Sequence, residues 1–104
     1  MQKIRVLLVG AGGYGELYVR QLAGGEPETP FEWAGVVDPF ARRSREWAKI
    51  EAAGVPVYDE LEQFYAAHDA DLAIISTPIP LHAPQCIAAM SHGSDVLLDR
   101  KSVV

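Results

Sequence analysis

Gly10, Gly12 and Gly15 stand in the run Gly10-Ala11-Gly12-Gly13-Tyr14-Gly15, which is G-x-G-x-x-G. The chemistry of such a run lies in its backbone. The first glycine allows a sharp turn. The second leaves no side chain to obstruct a pyrophosphate, and the third lets a helix lie close on the preceding strand. N–H groups near Gly13 and Tyr14 would meet phosphate charge at the helix N-terminus. Alone the pattern is weak, because glycine is common. Here it follows the apolar run Ile4 to Val9 and opens a helical pattern. Asp38 lies 23 residues beyond Gly15, near the separation of about 20 for an acid that holds a ribose. A glycine-rich turn with no ligand is the plainer reading; the combined context favours a bound dinucleotide.

Other residues carry two readings each. Asp38 precedes Pro39 and a helical pattern, so it could cap that helix. One carboxylate oxygen can cap while the other meets a ribose. Thr77-Pro78 follows the strand that should lie beside the first, which places it either at a ligand-binding switch point or in a purely structural turn. His82 opens the next helix and reads as a capping or packing residue rather than an acid or base. His68 and His92 read as exposed helix-end residues. Arg42, Arg43 and Arg45 read as a solvated helix face, with Arg42 and Arg43 near enough to Asp38 to reach an adenosine phosphate.

These residues need a frame to position them. Short apolar runs alternate with helical patterns, the signature of a parallel α/β sheet. Ile4 to Val9 reads as a central strand covered on both faces. Gly15, Tyr18, Val19 and Leu22 form one helical face, ended by Gly24-Gly25, with Pro27 and Pro30 in the loop beyond. Phe31 to Val37 is a second strand, and a helix over residues 41–53 stops at Gly54. Val55 to Tyr58 is a short strand that Pro56 assigns to an edge. Asp59 is expected to cap the next helix, with Glu62 three residues on and Leu61, Phe64 and Tyr65 buried. Leu72 to Ile75 is the fourth strand. Ala83, Cys86, Ile87 and Met90 are expected on one packed helical face, Gly93 closes that helix, and Val96 to Leu98 begin a fifth strand. Right-handed crossovers turn this alternation into a doubly wound, Rossmann-like parallel sheet of expected order 3-2-1-4-5.

Composition excludes several classes of function. The chain has 104 residues, enough for one small domain, and 49% of them are hydrophobic, so disorder is excluded. The net charge of −5, with no basic stretch, argues against nucleic acid and anionic membranes as partners. No apolar run approaches the roughly 20 residues that span a bilayer. Lys3-Ile4-Arg5 and the aliphatic run after it imitate a signal peptide, but the run breaks at once into the glycine turn. The one cysteine, Cys86, offers neither an internal disulfide nor a metal cluster, which suits a reducing cytoplasm.

The sequence resembles the glucose–fructose oxidoreductase and inositol dehydrogenase group (Gfo/Idh/MocA). The likeness is to its N-terminal nucleotide-binding domain and covers Lys3 to Leu98. It rests on Val9 to Gly15, then Gly35-Val36-Val37-Asp38-Pro39, then Gly54 to Tyr58. It continues through Ser76-Thr77-Pro78 with His82, and ends at His92 to Leu98. Asp38 itself favours NAD over NADP, because its carboxylate would accept from ribose hydroxyls and repel a 2′-phosphate. The resemblance implies an NAD(P)-dependent oxidoreductase moving a hydride between nicotinamide and a sugar, inositol or related polyol. It further implies a homo-oligomeric parent. Gly10, Gly12, Gly13, Tyr14, Gly15, Asp38, Thr77 and Pro78 would then contact the cofactor, and His82 would support the Thr77 loop. Ile79 stands where the family often has Asn. A non-catalytic dinucleotide-binding or sensor module is the alternative.

The end of the chain departs from the family. Asp99, Arg100 and Lys101 stand where the family reads Glu-Lys-Pro with an active-site Lys. Arg stays protonated, and Lys101 is displaced by one residue, which in an extended segment turns it to the other side. Neither inherits the catalytic role, and the substrate-binding domain is absent. The hexapeptide Asp99 to Val104 is the translation of GATCGGAAGAGCGTCGTG, part of a widely used sequencing adapter whose next codon, TAG, is a stop. The expected division is therefore an incomplete nucleotide-binding domain over 1–98 and a non-native read-through tail over 99–104.

Overall fold

The computed structural model describes residues 3–25 and 29–99. Pro27 and residues 100–104 of the expected tail lie outside them. Five parallel strands form one sheet: β1 (Ile4–Val9), β2 (Phe31–Val37), β3 (Val57–Tyr58), β4 (Leu72–Ile75) and β5 (Asp95–Leu98). Their order is β3-β2-β1-β4-β5, as the crossover argument requires. The helices are α1 (Gly15–Ala23), α2 (Trp47–Ala53), α3 (Leu61–Ala67) and α4 (His82–Ser91).

The aliphatic run of β1 is explained by the two cores it separates. Leu7 and Val9 pack with Val37, Phe64, Ala73 and Ile75, under α3 and α4. Val6 and Leu8 pack with Val19, Val36, Ile50 and Ile74, under α1 and α2. A strand buried on both faces has no room for a polar alternation. β5 differs: Val96 and Leu98 pack against the first core, while Leu97 on its other face is 46% exposed.

Four local expectations are corrected. The helix expected over 41–53 is broken. A 3-10 turn at Ala41–Arg43 gives way at Ser44, whose ψ of 140° is extended, and α2 starts only at Trp47. Ser44 stops the helix because its hydroxyl is used elsewhere, as described below. The cap of α3 is Glu60, not Asp59. Its side chain accepts from the Gln63 backbone, and the Gln63 side chain accepts from the Glu60 backbone. The buried side of α4 carries His82, Cys86 and Ala89; Ile87 and Met90 are 62% and 56% exposed. Of the expected face only Cys86 packs inward; the sheet takes the neighbouring face of His82, Cys86 and Ala89, at i, i+4 and i+7. Finally, His68 is half-buried: its Nε2 meets the Tyr58 hydroxyl at 3.1 Å and its ring packs on Phe64. His92 is exposed as expected, stacked on Tyr65.

One extra residue in β2 sets the depth at which α3 sits. The β1–β2 register passes from Val6↔Trp33 to Leu7↔Gly35, leaving Ala34 as a bulge. Gly35 then lies beneath Phe64. A Cβ there would stand 2.9 Å from the Phe64 ring and 3.0 Å from the Pro56 carbonyl oxygen. Phe64 is fully buried, with Tyr58 and Tyr65 edge-on to it. Gly35→Ala is therefore expected to cost about 1–3 kcal/mol by overpacking, measured by urea unfolding. The cost should shrink when Phe64→Leu is made in the same chain, because the ring edge that clashes is gone.

Candidate functional site

The glycine turn opens at the carboxyl end of β1. Gly10 has φ of +94° and Gly13 has φ of +57°, which favour glycine at both positions. A Cβ on Gly15 would stand 2.2 Å from the Gly10 carbonyl oxygen, so the last glycine allows α1 to close on the turn. A Cβ on Gly12 or Gly13 would meet nothing within 4 Å. Those two glycines face open space, whereas Gly10 and Gly15 face packed atoms.

The turn's hydrogen bonds divide in the same way. The N–H groups of Gly15, Glu16 and Leu17 close turns onto Gly12, Gly13 and Tyr14 carbonyls. The N–H groups of Gly12, Gly13 and Tyr14 donate to none of the described residues. Three adjacent donors at the N-terminus of a nine-residue helix form a positive cradle, since the helix dipole adds to them.

Asp38 follows the last residue of β2, as expected, and both its oxygens are engaged. Oδ2 accepts the Ala11 N–H at 2.9 Å and Oδ1 accepts the Phe40 N–H at 2.8 Å. The second bond turns the chain after Pro39 but does not cap a helix, as the sequence suggested it could: the 3-10 turn that follows is capped at Phe40, with no side-chain bond. The first ties Asp38 to the glycine turn. Each oxygen keeps a lone pair for a further donor.

Ser44 completes the hold on Ala11. Its buried hydroxyl donates to the Ala11 carbonyl at 2.7 Å and accepts from the Glu46 N–H at 3.1 Å. Ser44 was not singled out from the sequence, where it stood among Arg42, Arg43 and Arg45. The available signal was a serine, a residue that competes for backbone bonds, inside a proposed helix.

The loop after β4 closes the other side. The Ser76 hydroxyl donates to the Gly10 carbonyl at 2.8 Å. The Thr77 hydroxyl donates to the Gln85 side-chain oxygen, and its methyl packs where a Gly10 Cβ would be. His82 is buried, and its Nε2–H donates to the Thr77 carbonyl at 2.5 Å. The histidine thus fastens the loop from within, and its ring is not directed at the open site. Ile79 and Leu81 are about half exposed on the far rim.

A cavity of about 700 Å³ joins these parts, lined by Gly10, Gly12, Gly13, Tyr14, Asp38, Thr77 and Pro78. Of the residues singled out from the sequence, Gly15 and His82 stand behind this lining, Gly15 acting through its close approach to Gly10 and His82 through its bond to the Thr77 carbonyl. Phe40, Arg43, Asp59 and Gln85 also line it; none was proposed as a core member of the site. At the outer end of β5, Asp99 is buried and its N–H donates to the Ile75 carbonyl at 2.9 Å. It also bonds Tyr18 on α1, whose phenol is pushed up by burial and by that carboxylate.

This fold and cradle define a nucleotide-binding domain of the Rossmann class. The chain matches the oxidoreductase family with an NAD-binding Rossmann fold, GFO_IDH_MocA, over residues 4–100, and it belongs to that family. The WlbA dehydrogenase of Chromobacterium violaceum, solved with NADH and UDP-GlcNAcA, is 28% identical with a TM-score of 0.80. That comparison covers 97% of this chain and 28% of the other. The myo-inositol 2-dehydrogenase of Lactobacillus plantarum is 26% identical, with a TM-score of 0.77, over 93% and 28% of the two chains. A curated relative, the 4-carboxy-2-hydroxymuconate-6-semialdehyde dehydrogenase of a Sphingobium species, is 28% identical over 98 residues, 92% of this chain. The chain spans 29% of that relative's length.

Removing the Ser44 hydroxyl leaves the Ala11 carbonyl buried without its donor. Ser44→Ala is expected to lower stability by about 1–3 kcal/mol, measured by urea unfolding. An unchanged midpoint would show that Asp38 alone holds the turn.

Proposed function

We propose that the chain is the cofactor-binding part of an oxidoreductase that moves a hydride between nicotinamide and a sugar, inositol or related polyol. The observation that carries this reading is the trio of unused N–H donors at Gly12, Gly13 and Tyr14, opening onto a cavity that Asp38 also lines. The residues present fit a dinucleotide. Open space at Gly12 and Gly13 leaves room for a pyrophosphate against the backbone. Asp38 keeps acceptor capacity for ribose hydroxyls, at the strand end where that ribose belongs. Thr77 and Pro78 line the opposite wall, Gly15 seats the helix that supplies the dipole, and His82 holds the Thr77 loop in place. The substrate class rests on the inositol dehydrogenase and the sugar-nucleotide dehydrogenase among the relatives.

When bound, the nicotinamide supplies the hydride chemistry. The chain's own contribution is to hold the pyrophosphate charge, orient the adenosine end and exclude water with the Ile79–Leu81 rim. NAD is the preferred cofactor, because a 2′-phosphate would remove a donor to Asp38 and add negative charge beside it. Arg42 and Arg43 oppose that preference from more flexible positions. Among the described residues no helix is long and apolar enough to cross a membrane. A cytoplasmic, homo-oligomeric parent completes the reading. For Asp99 to Val104 we keep the read-through interpretation, which an independent nucleotide read through Leu98 would decide.

Titration of the 104-residue chain with NADH, followed by nicotinamide fluorescence, should show saturable one-to-one binding. Asp38→Ala should weaken it at least tenfold, since hydrogen bonds to a charged group contribute about 1.5–3 kcal/mol. Absence of binding by a chain shown to be folded by circular dichroism would reject the reading. The same chain, mixed with NAD and a panel of inositols and sugars, is expected to make no NADH above a heat-killed control. It spans under a third of the curated relative, and hydride transfer depends on a positioned substrate.

A further inference from the structure

We infer that Asp59 forms, with Asp38, a pair of carboxylates that selects a dinucleotide with free adenosine ribose hydroxyls over one bearing a 2′-phosphate. The inference rests on the dinucleotide reading of the cavity and assigns a residue to its specificity. β2 and β3 run in parallel with Val36↔Val57 and Val37↔Tyr58 in register. The Asp38 N–H continues that ladder by donating to the Tyr58 carbonyl at 2.9 Å. Asp38 and Asp59 are therefore the next residues past two adjacent strand ends, about one strand spacing of 4.8 Å apart. Both line the 700 Å³ cavity, and both line a second cavity of about 420 Å³ that adjoins it on the Trp47 side.

The two carboxylates are differently committed. Asp38 is fixed by the Ala11 and Phe40 N–H groups. The Asp59 carboxylate is exposed and has no hydrogen bond or ion pair among the described residues. Arg43 lines both cavities and Arg42 the second, but their guanidinium groups are engaged with rings. The Arg43 guanidinium lies 5.2 Å from the Phe40 ring and the Arg42 guanidinium 5.7 Å from the Trp47 ring. Neither forms an ion pair with Asp38 or Asp59 among the described residues. A ribose with free hydroxyls brings donors to this pair. A 2′-phosphate brings only acceptors and up to two further negative charges, so both carboxylates repel it. Asp59 adds to the discrimination by charge alone, because no bond fixes its direction.

The test measures dissociation constants for NADH and NADPH on the full 104-residue chain, Asp59→Asn and Asp59→Glu. Each is measured by nicotinamide fluorescence at low and high salt. The NADPH-to-NADH ratio of constants is expected to fall about fivefold in Asp59→Asn and to persist in Asp59→Glu. In the unsubstituted chain the ratio should also fall as salt is raised, since exposed charges are screened, and it should fall less in Asp59→Asn. A ratio in Asp59→Asn within twofold of the unsubstituted chain overturns the inference, as does a salt-independent ratio in the unsubstituted chain. The salt series needs no variant to fold. Failure of NADH itself to bind overturns the dinucleotide reading, and this inference with it, whereas NADH binding with an unmoved ratio removes only the role of Asp59.

Discussion

Gly15 lies so close to the Gly10 carbonyl that no side chain fits between them, and the rest of the site follows from that approach. Bringing α1 down onto the turn tightens the backbone from Gly10 to Gly15. The N–H groups of Gly15, Glu16 and Leu17 are used internally, and those of Gly12, Gly13 and Tyr14 are left without an acceptor among the described residues. Ala11 is held at both ends, by the Asp38 carboxylate on its N–H and by Ser44 on its carbonyl. Both bonds come from the one connection between β2 and α2, which is thus locked to the first turn through a single alanine. A polar cradle left open to solvent is an arrangement that folding alone does not favour. The surrounding bonds hold it in place at the strand ends.

The same economy appears on the β4 side. Ser76 bonds to Gly10, and Thr77 is fixed by Gln85 through its hydroxyl and by His82 through its carbonyl. The side chains of this loop are spent on holding each other. What the loop presents to the cavity is mainly shape, while the charged groups that line it, Asp38, Asp59 and Arg43, stand on the β2 and β3 side.

The strand order and the placement of Gly10, Asp38 and Thr77 were legible because each rests on a strong local rule. Double-sided burial writes a nearly continuous aliphatic strand, as in Ile4 to Val9 with Arg5 the one exception, and parallel strands with helical crossovers leave few topologies. Ser44 was not legible, because its partner Ala11 lies 33 residues away and no local pattern marks such a bond. The inward face of α4 was read correctly at Cys86 but not at Ala83, Ile87 and Met90, because Cys86 shares helical spacing both with those residues and with Ala89, and only the sheet distinguishes the two faces. The α3 cap moved from Asp59 to Glu60 because the Gln63 side chain answers Glu60, while the Asp59-to-Glu62 spacing is equally plausible on paper. That shift of one residue releases the Asp59 carboxylate from capping.

The position of β1 between β2 and β4 also sets an order of events during synthesis. β2 reaches β1 after one crossover, but β4 comes only after two further helices have been made. Ribosomes add about 5–20 residues per second. The interval from Val9 to Ile75 is thus on the order of 3–13 seconds, and throughout it one edge of this central strand has no native neighbour. A nascent chain in that state resembles an open template for other strands. The central strand that gives the finished sheet its stability is, while the chain emerges, the segment most in need of a chaperone.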